Sequence, residues 1–253
     1  MLKILLSGCS GKMGRAITNI VSNDPTCEIV CGVDIVNDSS LGFPVFSTPS
    51  EVTVKPDVII DFSHPSSLVP LLNYAAENSI PAVISTTGLS ESQKNYMHEI
   101  TSKTAIFFSA NMSLGVNLLA ALSQKATAVL EDSFDIEIVE AHHNRKLDAP
   151  SGTALYIADS INDVCSEKKD YVYDRHSVRK KRDKREVGIH SVRGGTIVGE
   201  HTVIFAGNDE IIEIKHTALS RDVFAEGSVK AAKFLADKKS GMYDMNDLIN
   251  TGA

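Results

Sequence analysis

The first 110 residues contain five short apolar runs that alternate with segments of helical periodicity, and this alternation most constrains the fold. The runs are rich in Val, Ile and Phe, as expected of strands buried on both faces of a parallel sheet. They are KILLSG (3–8), EIVCGVD (28–34), DVIIDF (57–62), PAVIST (81–86) and AIFFSA (105–110). Candidate helices lie between them at 12–23, 66–79 and 90–103, the last with a capping box of Ser90 and Gln93. The pattern predicts a Rossmann-type, doubly wound α/β domain.

The pattern changes after Asn111. Residues 113–130 form one long amphipathic helical segment, DIEIVEAHH (135–143) is typical of a strand, and a helix is expected to begin at Ser151. Three β-like runs follow a polar stretch (165–186), at 187–193, 201–207 and 210–217, with AGNDE as a hairpin turn between the last two. We therefore expect a second α+β domain with a mixed open sheet, built from residues 113–221. The first domain would comprise residues 1–112, completed by a C-terminal helix at 222–253, whose amphipathic pattern covers 222–238.

A glycine-rich loop follows the first apolar run. Gly8, Gly11 and Gly14 are spaced G-x-x-G-x-x-G at the start of a candidate helix, a variant of the dinucleotide-binding pattern. Glycines permit close approach of the backbone to a pyrophosphate, and the helix N-terminus supplies N–H donors. Asp34 ends the second apolar run and is placed to bind the ribose hydroxyls of NAD. These features favour NADH, although Lys12 and Arg15 leave NADPH open as a second cofactor.

Three polar segments follow later strands of the same predicted sheet. They are DFSHP (61–65), STTG (85–88) and SANMS (109–113). Each alone is typical of an ordinary loop or helix cap. Ligands of open α/β sheets bind beyond the carboxyl ends of the strands, so the shared position of the three segments predicts a binding edge.

Composition and charge exclude some classes of partner. The net charge of −7 argues against nucleic acid as the main partner, and no apolar stretch approaches the length of a membrane span. The N-terminus lacks the pattern of a signal peptide. Alternation on the second strand predicts that Cys27 and Cys31 share one face, too far apart for a disulfide. Buried, reduced thiols suit a cytoplasmic location.

The segment EAHHNRKLDAPSGTA (140–154) gathers four side chains that can be cationic in an acidic chain. The cluster follows a predicted strand and precedes the helix start at Ser151. Cations on one side and free N–H groups of a helix start on the other would form a clamp for a substrate with two negative charges. A solvated basic loop is the alternative. The adjacent histidines have no third ligand at a suitable spacing, so no metal site is expected.

This segment resembles the signature of the 4-hydroxy-tetrahydrodipicolinate reductase (dihydrodipicolinate reductase) family. The resemblance extends over nearly the whole chain, through GCSGKMG, DFSHP, STTG, SANMSLGVN and SVRGGTIVGEHTVIFAG. It implies that His142 is the catalytic proton donor. It implies that Lys146 is either a second proton donor or a residue that clamps the substrate. It implies substrate contacts at His143, Ser151, Gly152 and Thr153. The implied cofactor contacts are Gly8, Cys9, Ser10, Gly11, Lys12, Met13, Asp34, Ser85, Thr86, Thr87, Ser109, Ala110, Asn111 and Met112.

The resemblance also implies a reaction and an assembly. NAD(P)H would deliver a hydride to a cyclic imine dicarboxylate in the diaminopimelate route to lysine, and His142 would protonate the resulting enamine. The family is usually a homotetramer assembled through the sheet of the second domain. The family often has glycine where Ser85 stands and an aromatic residue where Met112 stands.

The sequence leaves three other functions open. A different two-domain dehydrogenase of amino-acid metabolism would need a reactive cysteine or another lysine–aspartate arrangement, and neither Cys9 nor Cys165 is a convincing nucleophile. A non-catalytic NAD-binding sensor would have no need for the histidine pair and Lys146. The basic run RHSVRKKRDKR (175–185) could bind nucleic acid, but a mobile, solvated surface segment is the favoured interpretation.

Overall fold

The computed structural model describes residues 1–251 and divides into two compact units. Unit 1 comprises Met1–Leu114 and the chain from Asp222 onward, and unit 2 comprises Gly115–Arg221. In chain order the strands are β1 (Leu2–Ser7), β2 (Cys27–Val33), β3 (Val45–Phe46), β4 (Val58–Asp61), β5 (Ala82–Ile84), β6 (Ala105–Phe108), β7 (Asp135–His142), β8 (Asp170–Val172), β9 (Glu186–Arg193), β10 (Gly199–Ala206), β11 (Ile211–Ala218) and β12 (Gly241–Tyr243). The α-helices are α1 (Lys12–Ser22), α2 (Leu68–Asn78), α3 (Glu91–Ile100), α4 (Leu114–Leu130), α5 (Gly152–Asn162), α6 (Asp222–Leu235) and α7 (Met245–Asn250).

Unit 1 is a seven-stranded parallel sheet with helices on both faces, as the apolar runs predicted. The strand order is β12-β6-β5-β4-β1-β2-β3. Ile4 and Leu6 point into one core with α1 and α6, whereas Leu5 points into a second core with α2 and α3. Strands buried on both sides have no polar face, which explains their continuous apolar sequence. The capping box of Ser90 and Gln93 is present at the start of α3.

The prediction that Cys27 and Cys31 share one face is wrong. The pairing of β1 with β2 shifts by one residue between Ile4 and Leu5, because β2 carries an extra residue there. Cys27 therefore packs into the core beneath α1, and Cys31 packs into the opposite core. Both thiols are buried and free.

The chain beyond Asp222 is not a single helix, which corrects the expectation for 222–253. Helix α6 ends at Leu235, β12 then adds to the sheet beside β6, and α7 follows. Gly241 has φ +110°, a conformation that a helix excludes, and this residue begins the added strand. Residues 252 and 253 of that segment lie outside the described residues.

Unit 2 is a five-stranded mixed sheet in the order β11-β10-β7-β9-β8. Strands β10 and β11 form the predicted antiparallel hairpin, whereas β7 pairs in parallel with β9. The three β-like runs are thus not all neighbours, because β7 lies between β9 and β10. Apolar residues of α4 and α5 cover one face of the sheet, against Ile136 and Ile138 of β7. Within residues 1–251, no helix combines the length and apolarity needed to cross a bilayer.

Candidate functional site

The glycine loop of unit 1 closes on its own backbone. A Cβ added to Gly8, which has φ +78°, would lie 2.5 Å from the carbonyl oxygen of Phe62. A Cβ on Gly14 would lie 2.4 Å from the carbonyl oxygens of Gly8 and Cys9. These neighbours are backbone atoms that cannot rotate away. Glycine is therefore required at both positions for the tight turn and the close packing of α1.

The start of α1 offers unpaired backbone donors beside an acidic residue. Gly11 occupies the N-cap position, and no side chain caps the helix. The carboxylate of Asp34 accepts hydrogen bonds from the backbone N–H of Ser10 at 2.9 Å and of Val36 at 3.1 Å. Gly8, Ser10, Gly11 and Asp34 line one cleft of about 510 Å³. A helix N-terminus and a fixed carboxylate in one cleft suit a phosphate and a ribose respectively.

A second cleft of unit 1 lies at the ends of β4, β5 and β6. It has a volume of about 290 Å³ and shares Phe62 and Ser63 with the first cleft. Its other lining residues are Met13, Ser85, Thr86, Thr87, Ala110, Met112 and Phe224. The arrangement follows from the parallel sheet, whose strand ends meet at one edge.

A buried carboxyl group supports this second cleft. Asp61 is fully buried, and burial raises the pKa of its carboxyl group. Thr86 donates its hydroxyl hydrogen bond to Asp61 at 2.6 Å, and the N–H of Ser63 donates to the same carboxyl group at 3.3 Å. Asp61 thereby fixes the two loops that line the cleft. The hydroxyl of Ser85, in contrast, is buried without a hydrogen-bond partner among the described residues.

The structure does not bring all the predicted cofactor contacts to a cleft. Cys9 is buried in the core against Gly32, so only its backbone is placed for a ligand. Lys12 is exposed and, like Ser109 and Asn111, lines neither of the two clefts. Phe224 was missed by the sequence analysis because it comes from α6, more than 100 residues after the loops it joins. Phe62 and Ser63 belong to DFSHP, one of the three segments predicted to form the binding edge.

In unit 2 the candidate site begins on the buried face of β7. Alternate residues of this strand are buried, and the series Ile136, Ile138 ends in Glu140 and His142. The period of two places both polar side chains on the face that the helices cover. A buried carboxylate requires partners, and Glu140 has several.

Glu140 is held by a bidentate ion pair. Two guanidinium nitrogens of Arg193 donate to its carboxylate oxygens at 2.8 and 2.7 Å, and the N–H of Ser151 donates at 3.1 Å. Burial opposes ionisation of the group, but these hydrogen bonds dominate and lower the pKa of Glu140 to about 2. Glu140 is therefore an ionised, fully buried acceptor at neutral pH.

His142 and His201 are neighbours in this network. Nδ1 of His142 lies 2.6 Å from the carboxylate of Glu140. The rings of the two histidines pack edge to face, with their centroids 5.2 Å apart. Nε2 of His201 lies 3.0 Å from the hydroxyl of Ser151. Burial, reinforced by the nearby His142, lowers the pKa of His201 to about 4. His201 is therefore neutral at pH 7 and acts as a support for the Ser151 hydroxyl.

Ser151 caps α5 as predicted. Its hydroxyl accepts a hydrogen bond from the N–H of Ala154 at 3.1 Å, and Gly152 and Thr153 form the first turn. The backbone N–H groups of a helix start favour a carboxylate. Because Glu140 binds both His142 and the N–H of Ser151, the strand end and the helix start are held together.

The remaining residues of the cationic cluster differ in environment. The ammonium of Lys146 lies 2.9 Å from the carboxylate of Asp148. Nδ1 of His143 is buried without a hydrogen-bond partner among residues 1–251. Burial and the charge of Arg145, which is itself exposed, lower the pKa of His143. A neutral imidazole and nearby cations are suited to binding an anion rather than a metal cation.

Several cations of the basic run 175–185 pair with carboxylates of the sheet, although most residues of the run are exposed. Arg182 donates to Glu137 and Asp135 at 2.8 Å and to the backbone carbonyls of Ile136 and Glu186. Arg175 and Lys180 pair with Glu186 at 2.6 and 3.1 Å. Carboxylates of β7 and β9 thus hold the partly buried Arg175 and Arg182 against the sheet, whereas Lys180 is exposed, as expected of a solvated surface segment.

The fold and clefts of unit 1 define an α/β protein with a Rossmann-type nucleotide-binding unit, joined to a second α+β unit. Comparison with known proteins specifies the family. Residues 2–112 match the model of "Dihydrodipicolinate reductase, N-terminus", and residues 115–249 match "Dihydrodipicolinate reductase, C-terminus". The chain belongs to the dihydrodipicolinate reductase family.

Individual relatives agree with this assignment. A 4-hydroxy-tetrahydrodipicolinate reductase of Caldanaerobacter subterraneus subsp. tengcongensis is 52% identical over 252 residues, covering 100% of both chains. One from Clostridium novyi is 48% identical and covers 99% of both. The solved structure of a dipicolinate-bound dihydrodipicolinate reductase from Paenisporosarcina sp. TG-14 has a TM-score of 0.83 and 26% identity, covering 97% of this chain and 99% of that one.

Proposed function

We propose that the chain reduces 4-hydroxy-tetrahydrodipicolinate to tetrahydrodipicolinate with NAD(P)H, in the diaminopimelate route to lysine. Family membership over both units supports the activity. The observation that carries it is the hydrogen bond between His142 and the ionised Glu140, beside the helix start at Ser151. This arrangement combines a candidate proton donor with a carboxylate-binding helix terminus in one unit.

Unit 1 would hold the dinucleotide. The cradle formed by Gly8, Gly11 and Gly14 admits no Cβ at two of its positions, and the start of α1 has no side-chain cap. These features fit a pyrophosphate, and the carboxylate of Asp34 fits a ribose diol. The hydroxyl of Ser85, which has no hydrogen-bond partner within residues 1–251, and the neighbouring Thr86 and Thr87 would contact the rest of the cofactor. Bound NAD(P)H would supply the hydride.

Asp34 and Arg15 favour NADH over NADPH. A carboxylate repels a 2′-phosphate, and Asp34 is fixed in place by the N–H groups of Ser10 and Val36. Arg15, one of the two cations near the loop, is already paired with Asp38. Lys12 is then the remaining candidate partner for a 2′-phosphate in this loop.

Unit 2 would bind and protonate the dicarboxylate. The N–H groups of Gly152 and Thr153, with His143 and Lys146, would bind the substrate carboxylates. The Paenisporosarcina relative binds dipicolinate, a planar dicarboxylate, which supports this substrate class. His142 would donate the proton from Nε2 to the reduced ring, and the cations nearby would stabilise negative charge as it develops.

The second unit would also carry the contacts of a homotetramer in the cytoplasm. Strand β11 is an edge strand, and its Ile211 and Ile212 are exposed. Exposed branched apolar residues on a sheet edge are typical of a surface that another copy covers. Light scattering coupled to size-exclusion chromatography tests the assembly: a monomer at micromolar concentration would contradict it.

The activity is tested by absorbance at 340 nm with enzymatically generated substrate. NADH and NADPH are compared in parallel reactions, with a reaction lacking substrate as the control. We expect the reduced cofactor to be oxidised only when substrate is present. We expect kcat/KM to be higher for NADH than for NADPH. Absence of oxidation with both cofactors would refute the proposed function.

A further inference from the structure

The imidazole of His142 has one ring nitrogen committed to a buried partner. Nδ1 lies 2.6 Å from Oε2 of Glu140, and an ionised carboxylate can only accept a hydrogen bond. Nδ1 therefore carries a proton in both the neutral and the charged ring. Nε2 is left as the nitrogen that gains or loses a proton. A Cβ at Gly199 would lie 3.1 Å from Nε2, so a larger residue on β10 would crowd that atom.

Glu140 cannot turn away from this contact. Arg193 binds both of its oxygens, and the N–H of Ser151 binds Oε1. Strand register places Arg193 of β9 beside His142 and places His201 of β10 beside Glu140. The carboxylate is thus held by Arg193 of the neighbouring strand β9 and by the backbone N–H of the helix cap, while His201 of β10 contacts the hydroxyl of Ser151.

We propose that Glu140 is a positioning residue that keeps His142 protonated on Nδ1, so that Nε2 delivers the proton to the substrate, and that Arg193 holds Glu140 in that orientation. The proposal rests on the proposed function in assigning His142 as the proton donor. In the step itself, the Nε2–H bond breaks and a C–H bond forms on the enamine carbon. The imidazole that remains is neutral and still donates from Nδ1 to Glu140.

The same carboxylate sets the distance between two parts of the site. One oxygen of Glu140 contacts His142, and the other contacts the N–H of Ser151 at the start of α5. The proton donor and the carboxylate-binding helix start therefore share one rigid support. A change at Glu140 therefore alters the chemistry through His142, whereas the first turn of α5 keeps the hydrogen bond from the N–H of Ala154 to the hydroxyl of Ser151.

The substitution Glu140→Gln tests this inference. Arg193 donates to both oxygens, but Oε1 also receives the backbone N–H of Ser151, which cannot become an acceptor, whereas the imidazole on the Oε2 side can change its tautomer; the amide oxygen of the glutamine would therefore occupy the Oε1 position. Its NH₂ group would then face Nδ1 of His142 and favour the tautomer protonated on Nε2.

We expect ¹⁵N NMR of histidine-labelled protein to show the Nδ1–H tautomer of His142 in the wild type and its loss in the variant. We expect kcat to fall about 10²-fold, while KM for the substrate changes by less than about threefold.

Glu137→Gln is the matched control. Glu137 lies on the same strand and also contacts an arginine and a histidine, Arg182 and His190, but on the opposite face. This variant should leave the His142 tautomer and kcat unchanged. Glu140→Asp retains a carboxylate and should restore the Nδ1–H tautomer, which separates the charge from a general loss of structure.

Two results would overturn the inference. One is a His142 that keeps its Nδ1–H tautomer in Glu140→Gln, and the other is a kcat within about twofold of the wild type in that variant. The NMR measurement needs no substrate, so it remains decisive if the reduction assay of the wild type fails. A wild type without reductase activity would refute the proposed function, whereas an unchanged tautomer would refute the role of Glu140.

Discussion

Arg15 forms an ion pair with Asp38, which lies beyond the end of β2. Asp38 also accepts hydrogen bonds from the backbone N–H of Ser40 at 3.0 Å and from its hydroxyl at 2.6 Å. These two hydrogen bonds fix the carboxylate in position for its ion pair with the guanidinium of Arg15. Arg15, which directly follows Gly14 of the glycine loop, is therefore already paired within the protein. This pairing keeps its charge from a 2′-phosphate and favours NADH.

Releasing Arg15 should increase the use of NADPH. In Asp38→Ala the guanidinium loses its partner and becomes available to a 2′-phosphate, so we expect KM for NADPH to fall about fivefold. KM for NADH should change little. The measurement is a pair of 340 nm saturation curves. The double variant Arg15→Ala/Asp38→Ala is the control, and it should show none of the gain; an equal gain in the double variant would exclude Arg15 as the cause.

The sequence predicted the parallel sheet well, because each strand is a continuous apolar run. It did not reveal β3, β8 and β12, which have two or three residues each and depend on a neighbouring strand for their hydrogen bonds. The prediction that Cys27 and Cys31 share one face of β2 was wrong for a related reason. One extra residue in β2 reverses the alternation, and nothing in the residue types marks where it lies.

The sequence predicted that His142 ends a strand and that Ser151 begins a helix, but it did not predict the residues that support them. The motif identified His142 and Ser151, but Glu140 was left without a role although it stands two residues before His142. The period of two on a strand was the signal that could have placed both on one face. Arg193 had no such signal, because it lies 53 residues further along the chain and reaches Glu140 only through strand pairing.

Unit 2 should lose stability as the pH falls below 6.5. The pKa of His201 is about 4 in the folded protein and 6.5 in the unfolded reference, so the unfolded state binds the proton first. Stability contributed by neutral His201 is fully present above pH 6.5 and declines as the pH falls toward 4. Between pH 6.5 and 5 the change is about 2 kcal/mol in the free energy of unfolding.

The variant His201→Gln removes this titration and retains an amide near the hydroxyl of Ser151. Chemical unfolding of both proteins from pH 7.5 to 5 should give a shallower dependence for the variant. The pKa values of His143 and His216 are also lowered by burial, and they act equally in the two proteins. Above pH 5 the loss of ionised Glu140 does not yet contribute. Parallel curves for the two proteins would contradict a buried neutral His201.

Arg182 should stabilise unit 2 rather than bind nucleic acid. Its guanidinium contacts Glu137, Asp135 and two backbone carbonyls, so Arg182→Ala removes at least one donor from each of these partly buried acceptors. We expect the free energy of unfolding to fall by about 1–3 kcal/mol, measured by urea denaturation. Lys181→Ala, at an exposed neighbouring position, is the control and should change little. Salt-dependent binding of the wild type to duplex DNA would argue for the alternative role.

Removing the proton donor should separate catalysis from cofactor binding. His142→Gln keeps a polar side chain of similar length but has no group that can give up a proton at neutral pH. We expect kcat to fall about 10²- to 10⁴-fold, because general acid catalysis typically contributes that much. His142 belongs to unit 2, whereas the residues proposed to hold the dinucleotide belong to unit 1. The dissociation constant for NADH, measured by fluorescence, should therefore stay within about twofold of the wild type.

His176→Gln, at an exposed histidine of the same unit, is the matched control and should retain full activity. Full turnover in His142→Gln would remove this residue from the chemical step and direct attention to Lys146, whose ammonium is the next candidate donor.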